Sequence, residues 1–175
     1  MNEPEIALRT AGSDDAERLA LVGAATFLET YAGNVHGDDV VAYAREAHSP
    51  AACAALLAEP DARAWLAEVA PGGAPIGYAV LTRPDLPDAR PDDLEVRRIY
   101  VLAPSQGRRI GVRLLNEAVA AAQAAGARRL LLGVYSVNDG ALAFYTRCGF
   151  RRVGTRDFRA GRGTYHDFVL ARDLD

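Results

Sequence analysis

The sequence predicts a mixed α/β sandwich in a single domain that spans residues 1–175, and three observations support this fold class. The length falls within the range of about 100 to 200 residues that one hydrophobic core serves. Hydrophobic residues make up 50% of the chain, so a large core can form without a disulfide or metal staple. Apolar positions recur at three- and four-residue spacing in some segments and alternate in others. The predicted order is one strand, three helices, three strands, a helix, a strand, a helix and two strands.

The first 60 residues are predicted to hold one strand and three helices. Ser13 stands where a helix N-cap is expected, and Asp14 and Asp15 follow in the first turn, where negative charge is favourable. Pro50 suits the first turn of a later helix, because a proline there loses no helical hydrogen bond. We predict a strand at 5–10, a helix from residue 13 to about 29, and short helices at about 38–48 and 50–59.

After residue 60 the apolar residues no longer recur at helical spacing and form runs typical of β-strands. Two apolar runs flank a glycine- and proline-rich turn at 71–75, which is typical of antiparallel partners. Three prolines and four aspartates mark residues 83–93 as a loop. We predict strands at 63–69, 76–82 and 94–101.

The third of these strands breaks its own alternation. Leu94 and Val96 share one face by parity, whereas Ile99 and Val101 fall on the other. An inserted residue near Arg97 would restore a continuous apolar face. We therefore predict a β-bulge at this point, a feature that re-aims side chains and is common beside active sites.

Glycines and a capping asparagine delimit the elements of the C-terminal part. Gly126 stops a helix that begins at about Ile110. Asn138 caps a shorter helix that ends at Cys148, and Gly149 follows at the left-handed position. We predict helices with apolar positions from 110 to 122 and from 138 to 148, and strands at 128–135, 151–158 and 165–172.

The chain contains no lysine, and its net charge of −3 hides an uneven distribution. Residues 1–95 carry 17 acidic side chains against 6 arginines, whereas residues 96–175 carry 6 against 14. The acidic half could gather a cationic ligand while the basic half holds an anionic one, or the two could interleave as ordinary solvated surface. The net negative charge argues against a general nucleic-acid binder.

No segment predicts membrane association or secretion. The N-terminus lacks the basic and apolar regions of a signal peptide, and no apolar run approaches the roughly 18 residues of a membrane span. The two cysteines, Cys53 and Cys148, lack the spacing of a disulfide framework, which favours reduced thiols. The histidines do not show metal-ligand spacing. We expect a cytoplasmic protein without a metal, a membrane or a nucleic acid as partner.

The loop before the helix at 110 is a candidate anion site. Gly107 and Gly111 lie where a strand passes into a helix, and the first N–H groups of a helix lack internal partners and favour negative charge. Three arginines, Arg108, Arg109 and Arg113, add positive charge. The loop has neither the lysine of a Walker A motif nor the G-x-G-x-x-G of dinucleotide folds. Taken alone, the glycines could also serve only a turn and close packing.

Two separate sequence motifs, one in this loop and one in residues 138–150, together indicate a known family. Gln106-x-x-Arg109-x-Gly111 matches the pattern Q/R-x-x-G-x-G/A in register, after the strand segment 98–102. Residues 138–150 match N-x-x-A-x-x-F-Y-x-x-x-G-F. Together they resemble the GNAT superfamily of acyl-CoA-dependent N-acyltransferases, over nearly the whole chain. The family often has glycine where Arg109 stands, and a side chain there could crowd a pyrophosphate or add a cationic contact.

The resemblance implies a fold, a cosubstrate and a set of site residues. The fold is a central, mostly antiparallel twisted sheet of about seven strands, with helices on both faces and a bulged, splayed central strand. The cosubstrate is acetyl-CoA, and the implied oxyanion donor is a main-chain N–H at or near Tyr100. The implied cofactor-binding residues are Ile99, Tyr100, Val101, Gln106, Gly107, Arg108, Arg109, Ile110, Gly111, Val112, Asn138 and Arg147.

Two side chains are candidates for catalysis. Tyr145 is at the position of the family's usual general acid, aimed at the departing sulfur, although it could also be a core aromatic with a satisfied hydroxyl. Glu95 precedes Gln106 by the spacing at which histone-modifying relatives place their catalytic glutamate. It would take a proton from the amine directly or through water, or it could be a surface charge on a strand edge.

Four segments bear on the identity of the amine that accepts the acetyl group. Segments 27–31, 94–101, 132–135 and 163–168 look like the bacterial polyamine acetyltransferase branch, which implies a small cationic amine, a polyamine being one candidate. The region where the family builds its acceptor site supplies the predicted substrate-binding residues Glu29, Tyr31, Asp38 and Asp39.

Other functions and assemblies stay open at this stage. The alternatives to a small amine are acetylation of a protein amino group or an amino-sugar, or a non-catalytic CoA-binding module. The oligomeric state is also open, with a homodimer as one option.

Overall fold

In the computed structural model, which describes residues 4–175, seven strands form one sheet with helices on both of its faces. The mixed α/β fold class is confirmed, and the element order is the predicted one. The strands are β1 (Ile6–Thr10), β2 (Arg63–Val69), β3 (Ala74–Thr82), β4 (Asp93–Val101), β5 (Arg129–Tyr135), β6 (Arg151–Ala160) and β7 (Gly163–Asp173). The α-helices are α1 (Ala16–Tyr31), α2 (Gly37–Ala47), α3 (Pro50–Leu57), α4 (Ile110–Ala124) and α5 (Asp139–Arg147).

The strand order across the sheet is β1-β2-β3-β4-β5-β7-β6. Every neighbouring pair is antiparallel except β4 and β5, which run parallel. The mostly antiparallel sheet is therefore confirmed, and its single parallel pair lies at the centre.

Buried hydrophobic clusters cover both faces of the sheet, the two largest under α4 and under α1 and α3. On one face, Leu114 and Leu115 of α4 are almost fully buried against strand residues that include Leu130. On the other face, Leu19 of α1 and Cys53 of α3 pack against β2 and β3. This division explains why the apolar spacing of α1 and α4 is helical while the central strands are apolar on both sides.

The predicted β-bulge is present in β4. Val80 of β3 pairs with Arg98, and the next residue, Leu81, pairs with Val96, so Arg97 is the extra residue. The insertion brings Leu94, Val96, Ile99 and Val101 into contact with the same core. The parity argument from the sequence is therefore confirmed, because only the bulge makes both halves of this strand apolar toward one face.

The parallel pair of β4 and β5 is short. Its register covers only Asp93–Glu95 with 129–131, although both strands continue beyond these residues. Asp93 and Arg129 face each other at the start of this pairing. They form a buried, bidentate ion pair, with Nε–Oδ1 at 3.0 Å and Nη2–Oδ2 at 2.6 Å. The strands therefore meet at one end and leave a gap beyond Glu95, so the splayed central strand is also confirmed.

The start of the first helix differs from the prediction. Residues Ser13–Asp15 form a short 3-10 turn, and α1 begins at Ala16. Ser13 is therefore not the N-cap: Gly12 precedes the turn and Asp15 precedes α1. The carboxylate of Asp15 accepts the N–H of Gly12 at 2.9 Å and pairs with Arg9. Arg9 of β1 holds the Asp15 side chain, and sequence spacing alone does not reveal such an ion pair. At its other end α1 extends to Tyr31.

No helix among residues 4–175 is both long and apolar enough to cross a bilayer. The same residues contain no cluster of three or more histidine, cysteine or carboxylate side chains suited to a metal ion.

Candidate active site

Two cavities meet at the gap between β4 and β5. The first, which we call the long groove, has a volume of about 750 Å³ and runs along the edge of β4, the N-terminus of α4 and one side of α5. The second, the small cavity, has a volume of about 230 Å³ and lies among α1, α2, β4 and the β6–β7 hairpin. Residues shared by both are Tyr31, Arg97, Arg98, Tyr100, Gly133 and Tyr135.

The N-terminus of α4 presents backbone amides to the long groove. Gly107 (φ 79°) and Arg109 (φ 59°) are both left-handed, and they turn the chain from β4 into the helix. Side-chain Nε2 of Gln106 donates to the carbonyl of Val101 at 3.0 Å, which holds the loop against the strand. A helix start with this geometry suits an anion such as a diphosphate.

The left-handed position of Arg109 gives a physical reason for the family's glycine. A residue with a Cβ carries a cost of about 1–2 kcal/mol in this conformation, whereas glycine does not. The Arg109 side chain lines the long groove and is exposed. It is therefore available to add a cationic contact there.

The other two arginines of the loop serve the sheet edge. Arg108 donates to the carbonyl of Pro4 at 2.6 Å, and Arg113 donates to the carbonyl of Ile6 at 3.2 and 3.3 Å. Neither lines the long groove, so the predicted role of Arg108 as a coenzyme contact gains no support from its position.

The edge of β4 offers main-chain groups to the gap. The N–H of Leu102 donates to Ile76 of β3, whereas the carbonyl of Val101 points the other way, toward Gln106. Because these directions alternate along a strand, the amides of Ile99 and Val101 face the gap and the amide of Tyr100 faces β3. The gap-facing donors nearest the predicted one are therefore the residues on either side of Tyr100.

Tyr145 projects from α5 into the long groove. Its ring packs between Phe144 and Phe150, and the residue is 8% exposed. Among residues 4–175, none donates a hydrogen bond to its hydroxyl or accepts one from it. Burial raises the pKa of Tyr145 above its ordinary value, so the phenol stays protonated near neutral pH. Its hydroxyl is available to a ligand.

Asn138 and Arg147 bracket the same helix, α5. The side chain of Asn138 accepts the N–H of Ala141 at 3.1 Å, which caps the helix, and both residues line the long groove. Asn138 therefore combines the capping role and the groove position that the sequence left as alternatives.

Glu95 lies at the floor of the small cavity, at the last paired position before β4 and β5 separate. It is 2% exposed, and its carboxylate accepts the N–H of Asp85 at 2.8 Å. Burial raises the pKa of Glu95 above its ordinary value, and the Asp85 amide only partly offsets that effect. Glu95 is thus a buried carboxylate beside a cavity, and the surface-charge interpretation of this residue is wrong.

A second carboxylate in the small cavity has a cationic partner. Asp167 accepts a hydrogen bond from Nε of Arg156 at 3.1 Å and is 5% exposed. The guanidinium of Arg156 lies so close to Gly133 that a Cβ at that position would approach it to 2.7 Å. Gly133 therefore makes room for this ion pair beside the gap.

Aromatic rings form most of the remaining wall. The hydroxyls of Tyr31 and Tyr100 lie 3.0 Å apart where the two cavities join. The other aromatic residues that line the small cavity are Phe27, Tyr43, Tyr135, Phe158 and Tyr165.

The predicted acceptor residues are only partly brought together. Tyr31 lines both cavities, and Glu29 lines the long groove, where its carboxylate accepts the N–H of Ala103 at 3.0 Å. Asp38 is exposed on α2 and, like Asp39, lines neither cavity. Asp39 instead accepts the hydroxyl of Tyr165 at 2.7 Å and holds the β6–β7 hairpin against α2.

The sequence did not identify Asp85, Arg156 and Asp167 as part of the site. Asp85 belongs to a proline-rich loop, and the other two belong to strands at the far end of the chain. An available signal was an aspartate at 167 among the apolar residues of a strand, since a buried carboxylate needs a partner.

Comparison with known proteins agrees with this geometry. The sequence matches the acetyltransferase (GNAT) family over residues 35–150. An uncharacterized N-acetyltransferase of Mycobacterium tuberculosis is 32% identical over 160 residues, which cover 91% of this chain and 98% of that protein. The N-alpha-acetyltransferase RimI of the same organism is 42% identical over 85 residues, 49% of this chain and 51% of that one. The PaiA N-acetyltransferase of Thermoplasma acidophilum, solved in complex with coenzyme A, superposes with a TM-score of 0.79 at 22% identity and covers 97% of this chain and 99% of that one.

The candidate active site is the gap between β4 and β5, with the start of α4 on one side and the buried carboxylate of Glu95 on the other. The chain belongs to the GNAT acetyltransferase family. It is an N-acetyltransferase, and its acetyl donor is acetyl-CoA. The long groove fits this donor, because nothing lies within 4 Å of a Cβ built at Gly107 and the helix amides beside it are open to a ligand.

Proposed function

We propose that the protein transfers the acetyl group of acetyl-CoA to the primary amine of a small acceptor that enters the small cavity. The observation that carries this proposal is the position of Glu95. A buried carboxylate of raised pKa lines a cavity that opens, through the β4–β5 gap, onto the groove that Tyr145 lines.

Binding of the donor is assigned to the long groove. The amides at the start of α4, with Gly107 and Gly111 leaving space, hold the diphosphate, and Arg109 adds positive charge. The edge of β4 pairs with the amide-bearing arm of the donor, and Asn138 and Arg147 complete the wall. Acetyl-CoA supplies a thioester whose carbonyl is positioned in the gap.

Glu95 removes the proton that blocks attack. An alkylammonium with a pKa near 10.4 is neutral in only about one part in a few thousand at pH 7, so a proton has to leave the amine. A desolvated carboxylate of raised pKa accepts a proton more readily than an exposed one, and burial of the ammonium in the same cavity favours its neutral form. The transfer is direct or passes through one water.

The reaction then forms one bond and breaks another. The amine nitrogen attacks the acetyl carbon, and the negative charge that develops on the carbonyl oxygen meets the amide of Ile99 or Val101. The carbon–sulfur bond breaks, and the nitrogen loses its second proton to solvent as the amide product forms. The leaving sulfur receives a hydrogen bond or a proton from Tyr145, and solvent returns any proton that Tyr145 gives up. Because a thiol with a pKa near 8.5 is already a fair leaving group, the contribution of Tyr145 is smaller than that of Glu95.

Two classes of acceptor have support. The polyamine class follows from the resemblance of four segments to the polyamine acetyltransferase branch, and three carboxylates line the small cavity, namely Asp85, Glu95 and Asp167. The similarity to RimI over about half of the chain favours the α-amino group of a protein as the second class.

A panel of amines tests the function. Purified protein is incubated with acetyl-CoA and polyamines, amino acids, amino-sugars and peptides with a free N-terminus, and thiol release and product mass are recorded. We expect at least one primary amine to be acetylated. Glu95→Gln should lower kcat/KM by about 10²–10⁴-fold, and Tyr145→Phe by less.

Two results would contradict the proposal. Coenzyme A binding without turnover of any amine would indicate a binding module. Unchanged activity in Glu95→Gln would remove the residue from the mechanism. Calorimetry with coenzyme A serves as the control. Glu95→Gln and Tyr145→Phe should both retain the wild-type affinity for coenzyme A, because neither residue is assigned to coenzyme affinity.

A further inference from the structure

The small cavity holds three arginines, and two of them have carboxylate partners. Arg156 binds Asp167 at 3.1 Å, and Arg97 lies 3.6 Å from Glu59. Arg98 is different: among residues 4–175 no carboxylate pairs with it, and no hydrogen bond involves its side chain. Its Nη1 atom is buried without a partner. Arg98 lines both the small cavity and the long groove.

The four side chains on which the charge of Arg98 acts most directly do not compensate it. Its positive charge acts on His48, Cys53, Tyr78 and Tyr100, none of which carries a negative charge at neutral pH. Burial and the charge of Arg98 lower the pKa of His48 to about 3, so this imidazole is neutral under physiological conditions. A cation in a partly buried wall with no anion beside it costs free energy unless a ligand supplies the anion.

Arg98 and Glu95 lie on the same face of β4. They pair with Val80 and Thr82 of β3, which are two residues apart and so project to one side of the sheet. The bulge at Arg97 lies between them and keeps both side chains on that side. Successive positions on one face of a strand are about 7 Å apart. The cavity thus offers a carboxylate and a guanidinium at neighbouring positions.

The volume of the cavity limits what enters. About 230 Å³ is less than the 300–1,000 Å³ typical of pockets for drug-sized ligands. A small molecule with an amine and an anion a few bonds apart fits both the volume and the charges. A linear polyamine matches only the carboxylates and leaves Arg98 without a partner.

We propose that the acceptor is a small primary amine that also carries a carboxylate, of the amino-acid type, with Arg98 binding the carboxylate while Glu95 faces the amine. This inference rests on the proposed acetyl transfer and names its substrate class. A bidentate, charge-assisted contact between a guanidinium and a carboxylate is a strong interaction in a cavity of this kind.

Matched pairs of amines test the inference. Each pair differs only in the carboxylate: ornithine with putrescine, lysine with cadaverine, tyrosine with tyramine, and phenylalanine with phenylethylamine. The wild-type protein should show a higher kcat/KM for the carboxylated member of at least one pair. Arg98→Met should reduce that preference by about 10- to 100-fold, mainly through KM. Arg97→Gln is the matched control, because Arg97 lines the same cavities but has Glu59 as partner, and it should retain the preference.

A second measurement does not depend on turnover. Binding of 3-phenylpropanoate, a carboxylate without an amine, is measured by calorimetry with the wild-type protein and with Arg98→Met. We expect the wild-type protein to bind 3-phenylpropanoate and Arg98→Met not to bind it. The melting temperature of Arg98→Met should be unchanged or higher, because the substitution removes an unpaired charge. A lower melting temperature together with retained binding would assign Arg98 a structural role and overturn the inference.

The outcomes separate this inference from the proposed function. If no amine of any kind is acetylated, the proposed function fails. If only the amines without a carboxylate are acetylated, or if Arg98→Met leaves the preference intact, the proposed function stands and this inference is overturned.

Discussion

The buried ion pair of Asp93 and Arg129 is predicted to be a main determinant of stability at the base of the β4–β5 gap. Asp93 is fully buried, and its carboxylate accepts two hydrogen bonds from Arg129 and a third, of 2.7 Å, from the N–H of Arg90. Asp93→Ala leaves the buried guanidinium unpaired, which costs about 3–5 kcal/mol. Because Arg129 is 8% exposed, we expect about 3 kcal/mol. For a domain of this size that value corresponds to a fall of about 6–12 °C in melting temperature.

Denaturant unfolding and thermal melts measure this effect. The double variant Asp93→Leu, Arg129→Met should recover most of the loss, because it removes both charges and keeps apolar volume. Asp61→Ala is a control: it breaks an ion pair with Arg83 whose side chains are 52% and 60% exposed, so its effect should stay below about 1 kcal/mol. A loss below 0.5 kcal/mol in Asp93→Ala, by the scale of surface substitutions, would refute the reasoning.

The same ion pair predicts a direction for stability in acid. Burial alone would raise the pKa of Asp93, but the hydrogen bonds from Arg129 and from the Arg90 amide, together with the charges of these two arginines, outweigh burial and hold the pKa below its ordinary value of 3.8. The stability that this group contributes is therefore complete above about pH 4 and is lost as the pH falls through the lowered pKa.

Three further predictions concern the site and its surroundings. Arg109→Gly should be more stable than Arg109→Ala by about 0.5–1 kcal/mol in thermal melts, because glycine avoids the left-handed strain; equal stability would contradict that explanation. Asp39→Asn and Tyr165→Phe should each lower the melting temperature, and the double variant should lose less than the sum of the two single losses, because the two side chains share one hydrogen bond. A raised KM for the acceptor without a change in melting temperature would instead support a role for Asp39 in acceptor binding. The pH profile of kcat/KM should show an acid limb above the ordinary value of 4.5 for Glu95, because activity requires its ionised form and burial raises its pKa; Glu95→Gln should lack that limb.

Much of the fold follows from local rules. The bulge at Arg97 was predicted from parity, because a strand must keep one apolar face toward a core. The helix limits at Asn138 and Gly149 follow from backbone groups that need partners within a few residues, and Gly149 has φ 86° as the C-cap prediction requires.

The candidate site was predictable where it depends on one continuous segment. The loop from Gln106 to Gly111 and the edge of β4 are contiguous in sequence, and the structure places them along one groove. Arg108 lies outside the long groove and Asp39 outside the small cavity, and each contacts a residue distant in sequence, Pro4 and Tyr165 respectively.

The sequence by itself determined the order of the elements, the bulge and the helix start that fits a diphosphate, because these depend on spacing within a few residues. Only the tertiary structure decided which charges line the small cavity. Asp85, Arg98 and Asp167 come from a loop, a central strand and the last hairpin, and long-range packing brings them together. The pairing of these charges differs: Arg156 forms an ion pair with Asp167, whereas among residues 4–175 no carboxylate forms an ion pair with Arg98.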